Sequence, residues 1–518
     1  MTHPGHGSRG PFRSHAETVL DLLGHDPGRE AVVHGGRRVT AGELRDLALR
    51  TARALRARGL GPGRTVTLLA GNLPETLAAR YAAHLLGCRV VHLFGEPPAA
   101  VHAAIARDVE TGALVADPRS AARAAELAAA AGVADLATLG PADAGEDLLA
   151  AAAREPAEIV PGAVRAQDVC QVRHTGGTTG PPKGVCLSYA QAGSWRRAPG
   201  PAHRLLVCTT LAHAAGRLAD RTLAAGGTVV LLDGFEPGEV LAAVERERIT
   251  RLFLMPPHLY RLLDHPDLGR RDLTSLTSLP YGATRASPAR LADAVRRLGP
   301  VLYQIYGQTE AGSISQLDAA DHDPRHPDRL RSAGRPLPGV EVAIRDEAGR
   351  DLPAGAVGEI CVRSERVMRG YWKQPALTAE VLRDGWLHTG DLGRLDRDGY
   401  LTVVDRIGDR LVVLGGHVHP AEVEDVLDSC PGVRQSAVFG ILDADRMDQV
   451  HAVVVPEPGR VLDEARLRGA VRRGLGAPHV PARITFAAAL PLTGVGKPDK
   501  KLLRRRAEES ARTGEGGA

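Results

Sequence analysis

The chain has 518 residues, 43% apolar and 24% charged, with 65 basic against 61 acidic side chains and a net charge of +4. That length allows two to four domains and a large core, and the composition is that of a globular protein. So even a charge balance, with basic residues scattered rather than striped, argues against nucleic acid, and no uncharged apolar run reaches membrane-spanning length. Cys88, Cys170, Cys186, Cys208, Cys361 and Cys430 lie far apart with no C-x-x-C pair. This is the pattern of reduced, mostly buried thiols, not of a disulfide frame or a zinc site. The opening "MTHPGHGSRGPFRSH" lacks the apolar stretch of a signal peptide, so the expected location is the cytoplasm.

Residues 1–14 read as a disordered N-terminus. "TAGELRDLALRTARALRARGLGPG" predicts a helix: Thr40 and Glu43 form a capping box, Leu44, Leu47, Thr51 and Leu55 share one face, and Gly59 ends it. A short buried strand over 65–71, a helix in "LPETLAARYAAHLLG" and a strand in "CRVVHLF" follow. Residues 117–165 are Ala-rich and carry little signal beyond a helix and a surface linker. Strands alternate with helices again in "GTVVLLD", "EPGEVLAAVERERIT", "RLFLMP" and "PARLADAVRRLG", so the fold class is α/β with largely parallel pairing. From about residue 340 to 404, short β-runs with Gly/Pro turns predict a small β-rich subdomain, with Asp398-Gly399 as a hairpin pair. Past "DRIGD", residues 409–506 predict a separate small α/β domain. "KKLLRRR" reads as a solvated helix face, and 507–518 as a disordered tail.

"RHTGGTTGPPKGV", Arg173 to Val185, puts four glycines, three threonines, two prolines and a lysine into thirteen residues. Glycine weakens helices and strands, so such a run marks a place where the backbone must come close to something. The spacing fits neither a Walker loop, which needs G-x-x-x-x-G-K-[ST], nor a G-x-G-x-x-G dinucleotide fingerprint. Exposed N–H groups, hydroxyls and Lys183 together make an anion nest, and we read a phosphate-binding loop.

"HTGGTTGPPKGV" resembles the phosphate-loop signature of the adenylate-forming superfamily, which comprises acyl-CoA synthetases, luciferases and peptide-synthetase adenylation domains. "YGQTEA" (306–311) resembles its Y-G-x-T-E motif, "HTGDLGRLDRDGYL" its T-G-D motif, "VVDRIGDRLVVLGGHVHPAEVE" its hinge, and "PLTGVGKPDKKLL" its terminal P-x-T-x-x-G-K motif. The resemblance spans about residues 15–506, in the family's order. It implies a large N-terminal AMP-binding domain (15–404), a hinge (405–408) and a small mobile C-terminal lid (409–506). The implied reaction is attack of a carboxylate on the α-phosphorus of ATP, giving an acyl-adenylate and pyrophosphate, with Mg2+ as cofactor.

Carried over residue by residue, Thr175, Gly176, Gly177, Thr178, Thr179, Gly180 and Lys183 would cradle the β- and γ-phosphates. Thr309 would contact the α-phosphate and Glu310 would hold Mg2+. Tyr306 would stack on adenine, with Gly282, Ala283 and Thr284 along its opposite face. Asp391, acceptor-only when ionised, suits the ribose hydroxyls, with Arg406 beside it. Lys497 would span carboxylate and α-phosphate oxygens. His213 matches a gate or polar wall of the acyl pocket, the alternative being a satisfied structural histidine. Tyr281, Gly282, Arg285 and Gly307 would complete that pocket.

The sequence also departs from the family. Gly408 occupies the hinge position, where Asp or Lys is common. "LGGHVHP" (414–420) stands where CoA ligases often read "SGGENVYP", and Arg285 where proline is frequent. The acyl acceptor therefore stays open. The leading reading is a CoA ligase for an aromatic or medium-chain carboxylic acid. The alternatives are an amide-forming ligase using an amine, a diazotase-like member activating nitrite, and an adenylation enzyme loading a carrier protein. A catalytically silent nucleotide-binding homologue is a further alternative, opposed by intact Lys497, Glu310 and Asp391.

Overall fold

A computed structural model of the chain describes residues 12–94, 99–160, 164–175, 183–193, 202–413, 416–443, 447–493 and 497–513. The chain packs as two compact units: Met1–Phe253, His265–Ser278 and Glu365–Glu380 in the first, and Leu254–Asp264, Leu279–Ser364 and Val381–Ala518 in the second.

Two sheets carry the first unit. An eight-stranded sheet runs in the order Gly370–Tyr371, Lys183–Ser188, Val169–Thr175, Arg89–His92, Thr65–Leu69, Thr111–Ala116, Leu136–Thr138, Glu146–Asp147. Its central strand, Thr65–Leu69, is buried at every position and pairs in parallel on both sides, as expected where helices cover both faces. A five-stranded sheet is centred on Thr228–Leu231. Helix Ala41–Ala57 packs as its pattern predicts. Thr40 Oγ1 accepts from the Glu43 N–H at 3.2 Å and Glu43 Oε2 accepts from the Thr40 N–H at 2.7 Å, while Leu44, Thr51 and Leu55 are buried. Gly59 follows at φ +78°, a left-handed conformation that glycine adopts without steric cost.

Residues 117–165 hold more than a helix and a linker. Besides helix Ala121–Ala131 they supply the edge strands Leu136–Thr138 and Glu146–Asp147 and helix Leu148–Ala153, whose Leu148 is fully buried. Strands of two or three residues show no alternation to read. At the N-terminus, Ser14 is buried and caps helix His15–His25 in a capping box with Glu17, so order begins inside the stretch expected to be disordered.

In the second unit, a four-stranded sheet (Leu279–Gly282, Leu302–Gln308, Gly312–Leu317, Arg335–Pro336) and a five-stranded sheet built on Val340–Arg345, Gly358–Ser364 and Trp386–Leu395 carry the motifs. The small C-terminal domain has its own core of Leu411, Val418, Val423, Leu427, Val438, Val454, Val471 and Ile484. Its last helix, Lys500–Thr513, continues past residue 507, into the expected tail. Lys500 pairs with Glu424 at 2.7 Å and Leu503 is buried, so the basic run is not solvated throughout. All six cysteines are free thiols, five of them buried. Among the described residues, no helix is long and apolar enough to cross a membrane.

Candidate active site

The stems of the glycine-rich loop are the antiparallel strands Val169–Thr175 and Lys183–Ser188, with Thr175 opposite Lys183. Gly176, Gly177, Thr178, Thr179 and Gly180, and the side chain of Thr175, lie outside the described residues. The Lys183 ammonium sits 5.5 Å from the ring centroid of Tyr371. His213 precedes helix Ala214–Ala224, and its ring meets Phe94 edge-on with centroids 4.3 Å apart.

In the second unit the sequence motifs converge on one carboxylate. Strands Leu279–Gly282 and Leu302–Gln308 run parallel, bringing Gly282 opposite Ile305. A Cβ at Gly282 would collide with the Ile305 carbonyl oxygen, and one at Gly307 with that of Gly312, so glycine is required at both for the backbones to meet. Ala283 takes φ +71°, uncommon for a residue with a Cβ, and the buried Thr284 Oγ1 has no hydrogen-bond partner among the described residues. Thr309 and Glu310 form the turn into Gly312–Leu317, a hairpin rather than the start of a helix.

Asp391, only 5% exposed, lies on Trp386–Leu395 directly opposite Arg406 at the end of Leu401–Arg406. Tyr306 Oη donates to its Oδ2 at 2.7 Å, Gln308 Nε2 donates to the same oxygen at 2.6 Å, and Arg406 Nε donates to Oδ1 at 2.9 Å. Burial, reinforced by Asp391, pushes the Tyr306 phenol well above its ordinary pKa, so it stays a donor. Burial pulls the Arg406 guanidinium down, but Asp391, Glu310 and Asp409 together turn the net shift upward.

Lys497 joins this group from the C-terminal domain. Its segment is pinned by the Thr493 N–H donating to Lys497 O at 2.7 Å and the Lys497 N–H donating to Thr493 Oγ1 at 3.2 Å. The side chain is exposed, yet its pKa is lowered by partial desolvation and then by Arg406, while Asp391 and Glu310 act in the opposite direction. Lys497, Arg406, Asp391 and Glu310 thus share one electrostatic neighbourhood.

Arg285, expected beside the acyl pocket, has protein partners. Its guanidinium donates to the Val404 carbonyl at 3.2 Å and pairs with Asp425 on helix Pro420–Asp428. Gly408 sits in the turn Ile407–Asp409 without a positive φ, and a Cβ there would meet nothing within 4 Å. Glycine is therefore not demanded by this conformation.

Two residues were missed in the sequence. Gln308 occupies the variable position of "YGQTEA" and bonds both Asp391 and the Thr389 carbonyl, the latter at 3.0 Å. Glu359, on the neighbouring strand, accepts from the Gly390 N–H at 3.0 Å, and its other oxygen lies 2.7 Å from His388 Nδ1. It thereby holds both flanks of the turn into Asp391. Only Gln308 had a local signal, its place inside a motif.

The chain matches the model of the AMP-binding enzyme over residues 23–372 and that of the AMP-binding enzyme C-terminal domain over 422–497. It is 39% identical to a medium/long-chain-fatty-acid–CoA ligase of Mycobacterium tuberculosis, across 98% of this chain and 91% of the relative. It is 38% identical to a feruloyl-CoA synthase of an Amycolatopsis species, across 93% and 96%. The solved amide bond synthetase McbA of Marinactinospora thermotolerans superposes with a TM-score of 0.86 at 40% identity, across 95% of this chain and 99% of that one. The chain belongs to the AMP-binding enzymes, the adenylate-forming superfamily of ATP-dependent, AMP-forming ligases.

Proposed function

We propose that this ligase activates an aromatic or medium-chain carboxylic acid as its acyl-adenylate and transfers the acyl group to the thiol of CoA. In the first half-reaction a carboxylate oxygen bonds to the α-phosphorus of ATP as the bond to pyrophosphate breaks. Charge grows on phosphoryl oxygens, so positioned cations and N–H donors lower the barrier. Lys497 supplies a cation toward the carboxylate and α-phosphate, and Thr309 a hydroxyl. Asp391 accepts the ribose hydroxyls, and Tyr306 lies against the base. In the second half-reaction the CoA sulfur bonds to the acyl carbon, AMP leaves and the thiol proton passes to solvent.

Glu310, an oxygen donor on a turn facing Arg406 and Lys497, suits a hard cation such as Mg2+, which supplies charge neutralisation of the phosphates when bound. Thr175–Lys183 would embrace the β- and γ-phosphates. The observation that carries this reading is the buried Asp391 carboxylate, held by Tyr306, Gln308 and Arg406 with Lys497 in the same field.

CoA as acceptor is supported by two relatives named as a CoA ligase and a CoA synthase. An amine acceptor is the second reading. It is favoured by the altered "LGGHVHP" segment and by the 40% identity to an amide bond synthetase. Incubating ATP-Mg2+ with a panel of acids, then adding CoA, an amine or a carrier protein, and weighing the products separates them. Acyl-CoA is expected; acyl-AMP that converts only with the amine contradicts the CoA reading.

A further inference from the structure

Around Asp220, in the first unit, the described residues hold more guanidinium groups than that carboxylate pairs with. Asp220 (4% exposed), on helix Ala214–Ala224, accepts from Arg80 Nη2 and from Tyr81 Oη at 2.6 Å. Arg173, from strand Val169–Thr175, and Arg217, one helical turn beyond His213, lie in the same field. Among the described residues neither makes a hydrogen bond or an ion pair, and Arg173 Nε is buried without a partner. The carboxylate that acts on both is Asp220, already engaged by Arg80 and Tyr81.

Burial, then Arg217, pulls the Arg173 guanidinium down to about 10 from the ordinary guanidinium range. Burial, then Arg221 and Arg366, pulls Arg217 down as well. Both side chains keep some accessible surface. The buried His92 adds an Nε2 with no partner among the described residues, and burial together with Arg80, Arg173 and His213 keeps its ring neutral. His92 thus lies in the field of both Arg173 and His213, the residue read as the acyl pocket's polar wall, and Arg173 lies in that of Arg217.

A buried cation without a counter-charge is costly, and a guanidinium fork matches a carboxylate in geometry. We infer that Arg173 and Arg217 form an anion subsite that takes a second carboxylate, at the far end of the acid being adenylated. The subsite rests on the proposed adenylation reading and narrows its substrate class to acids with a second acidic group. A free inorganic anion has the same chemistry, and the test separates the two.

The full chain is assayed for pyrophosphate release with two matched pairs, octanoate against suberate and benzoate against terephthalate. The subsite predicts a kcat/KM for the diacid higher by about 10-fold or more in at least one pair. It also predicts that Arg217→Met lowers the diacid-to-monoacid ratio by a similar factor. Monoacids preferred in both pairs, or a ratio unmoved by Arg217→Met, overturns it. Release with no acid at all contradicts the adenylation reading instead, and binding then decides the subsite. The melting temperature of the wild type should rise with suberate or terephthalate over chloride at equal ionic strength, and Arg173→Met or Arg217→Met should remove the rise. No rise, an equal rise in the variants, or an equal rise with inorganic phosphate overturns the assignment to a substrate carboxylate.

Discussion

Two clusters of buried charge differ in how completely the protein satisfies them. Around Asp391, each carboxylate oxygen has a donor from the chain, and the cation Arg406 faces it across a strand pair. Around Asp220, one carboxylate serves Arg80 and Tyr81 while Arg173 and Arg217 have neither bond nor ion pair among the described residues. A cluster that is self-sufficient can be rigid before any ligand arrives, which suits the positioning of a nucleotide. A cluster left with surplus charge is completed by what binds there. Asp428 is the mirror case, an acid among acids: Ser436 Oγ donates to it at 2.7 Å, but Glu424 and Asp425 are its charged neighbours.

The largest expected effect is at the satisfied cluster. Asp391→Asn removes the negative charge and one of the two acceptor oxygens that Tyr306, Gln308 and Arg406 use. With charged hydrogen bonds worth roughly 1.5–3 kcal/mol each, carboxylate-dependent pyrophosphate release should fall by about 100-fold or more. A fall under about 3-fold would mean that the cluster is structural only. Gln308→Ala removes one such bond, and the KM for ATP should rise about 10-fold with kcat little changed; a kcat loss at constant KM would place Gln308 in the chemical step.

Two pH profiles sharpen the contrast. Lys497 must be an ammonium to act, and partial desolvation and Arg406 lower its pKa, so adenylation is complete at lower pH and is lost as pH rises through that lowered value. The alkaline limb should fall below the ordinary lysine value of 10.5, and Lys497→Arg, where active, should lack it. A limb at or above that value contradicts the shared field. Asp428 is raised from 3.8 to about 8, chiefly by burial, so the folded chain keeps a proton that the unfolded chain releases. That stabilisation is full below pH 3.8 and is lost as pH rises toward about 8. Asp428→Asn should therefore flatten the dependence of melting temperature on pH across this window, by a few degrees at most. An unchanged slope would show that the carboxyl is better paired than its surroundings imply.

Much of this architecture was legible because its causes are local. The Thr40–Glu43 capping box, the stripe through Leu44 and Leu55, and the strand–helix alternation are read within a few residues of chain. Motif order likewise brought Tyr306, Asp391 and Arg406 together on paper, and they meet in the fold. What escaped depends on partners remote in sequence. Glu359 supports Gly390 from another strand, Arg285 turns to Asp425, and Arg173 lies in the field of Arg217, which belongs to a different element. None of these leaves a periodicity or a turn signal, because a side chain's partner across a sheet is set by tertiary packing.

The central claim is that Lys497, arriving beside Asp391, Arg406 and Glu310, carries the adenylation step. Exchange of labelled pyrophosphate into ATP, dependent on an added carboxylic acid, measures that step alone. Lys497→Ala should lower it by about 100–1,000-fold while the melting temperature stays within about 2 °C of wild type. Exchange at near-normal rate in a folded Lys497→Ala variant would contradict the account.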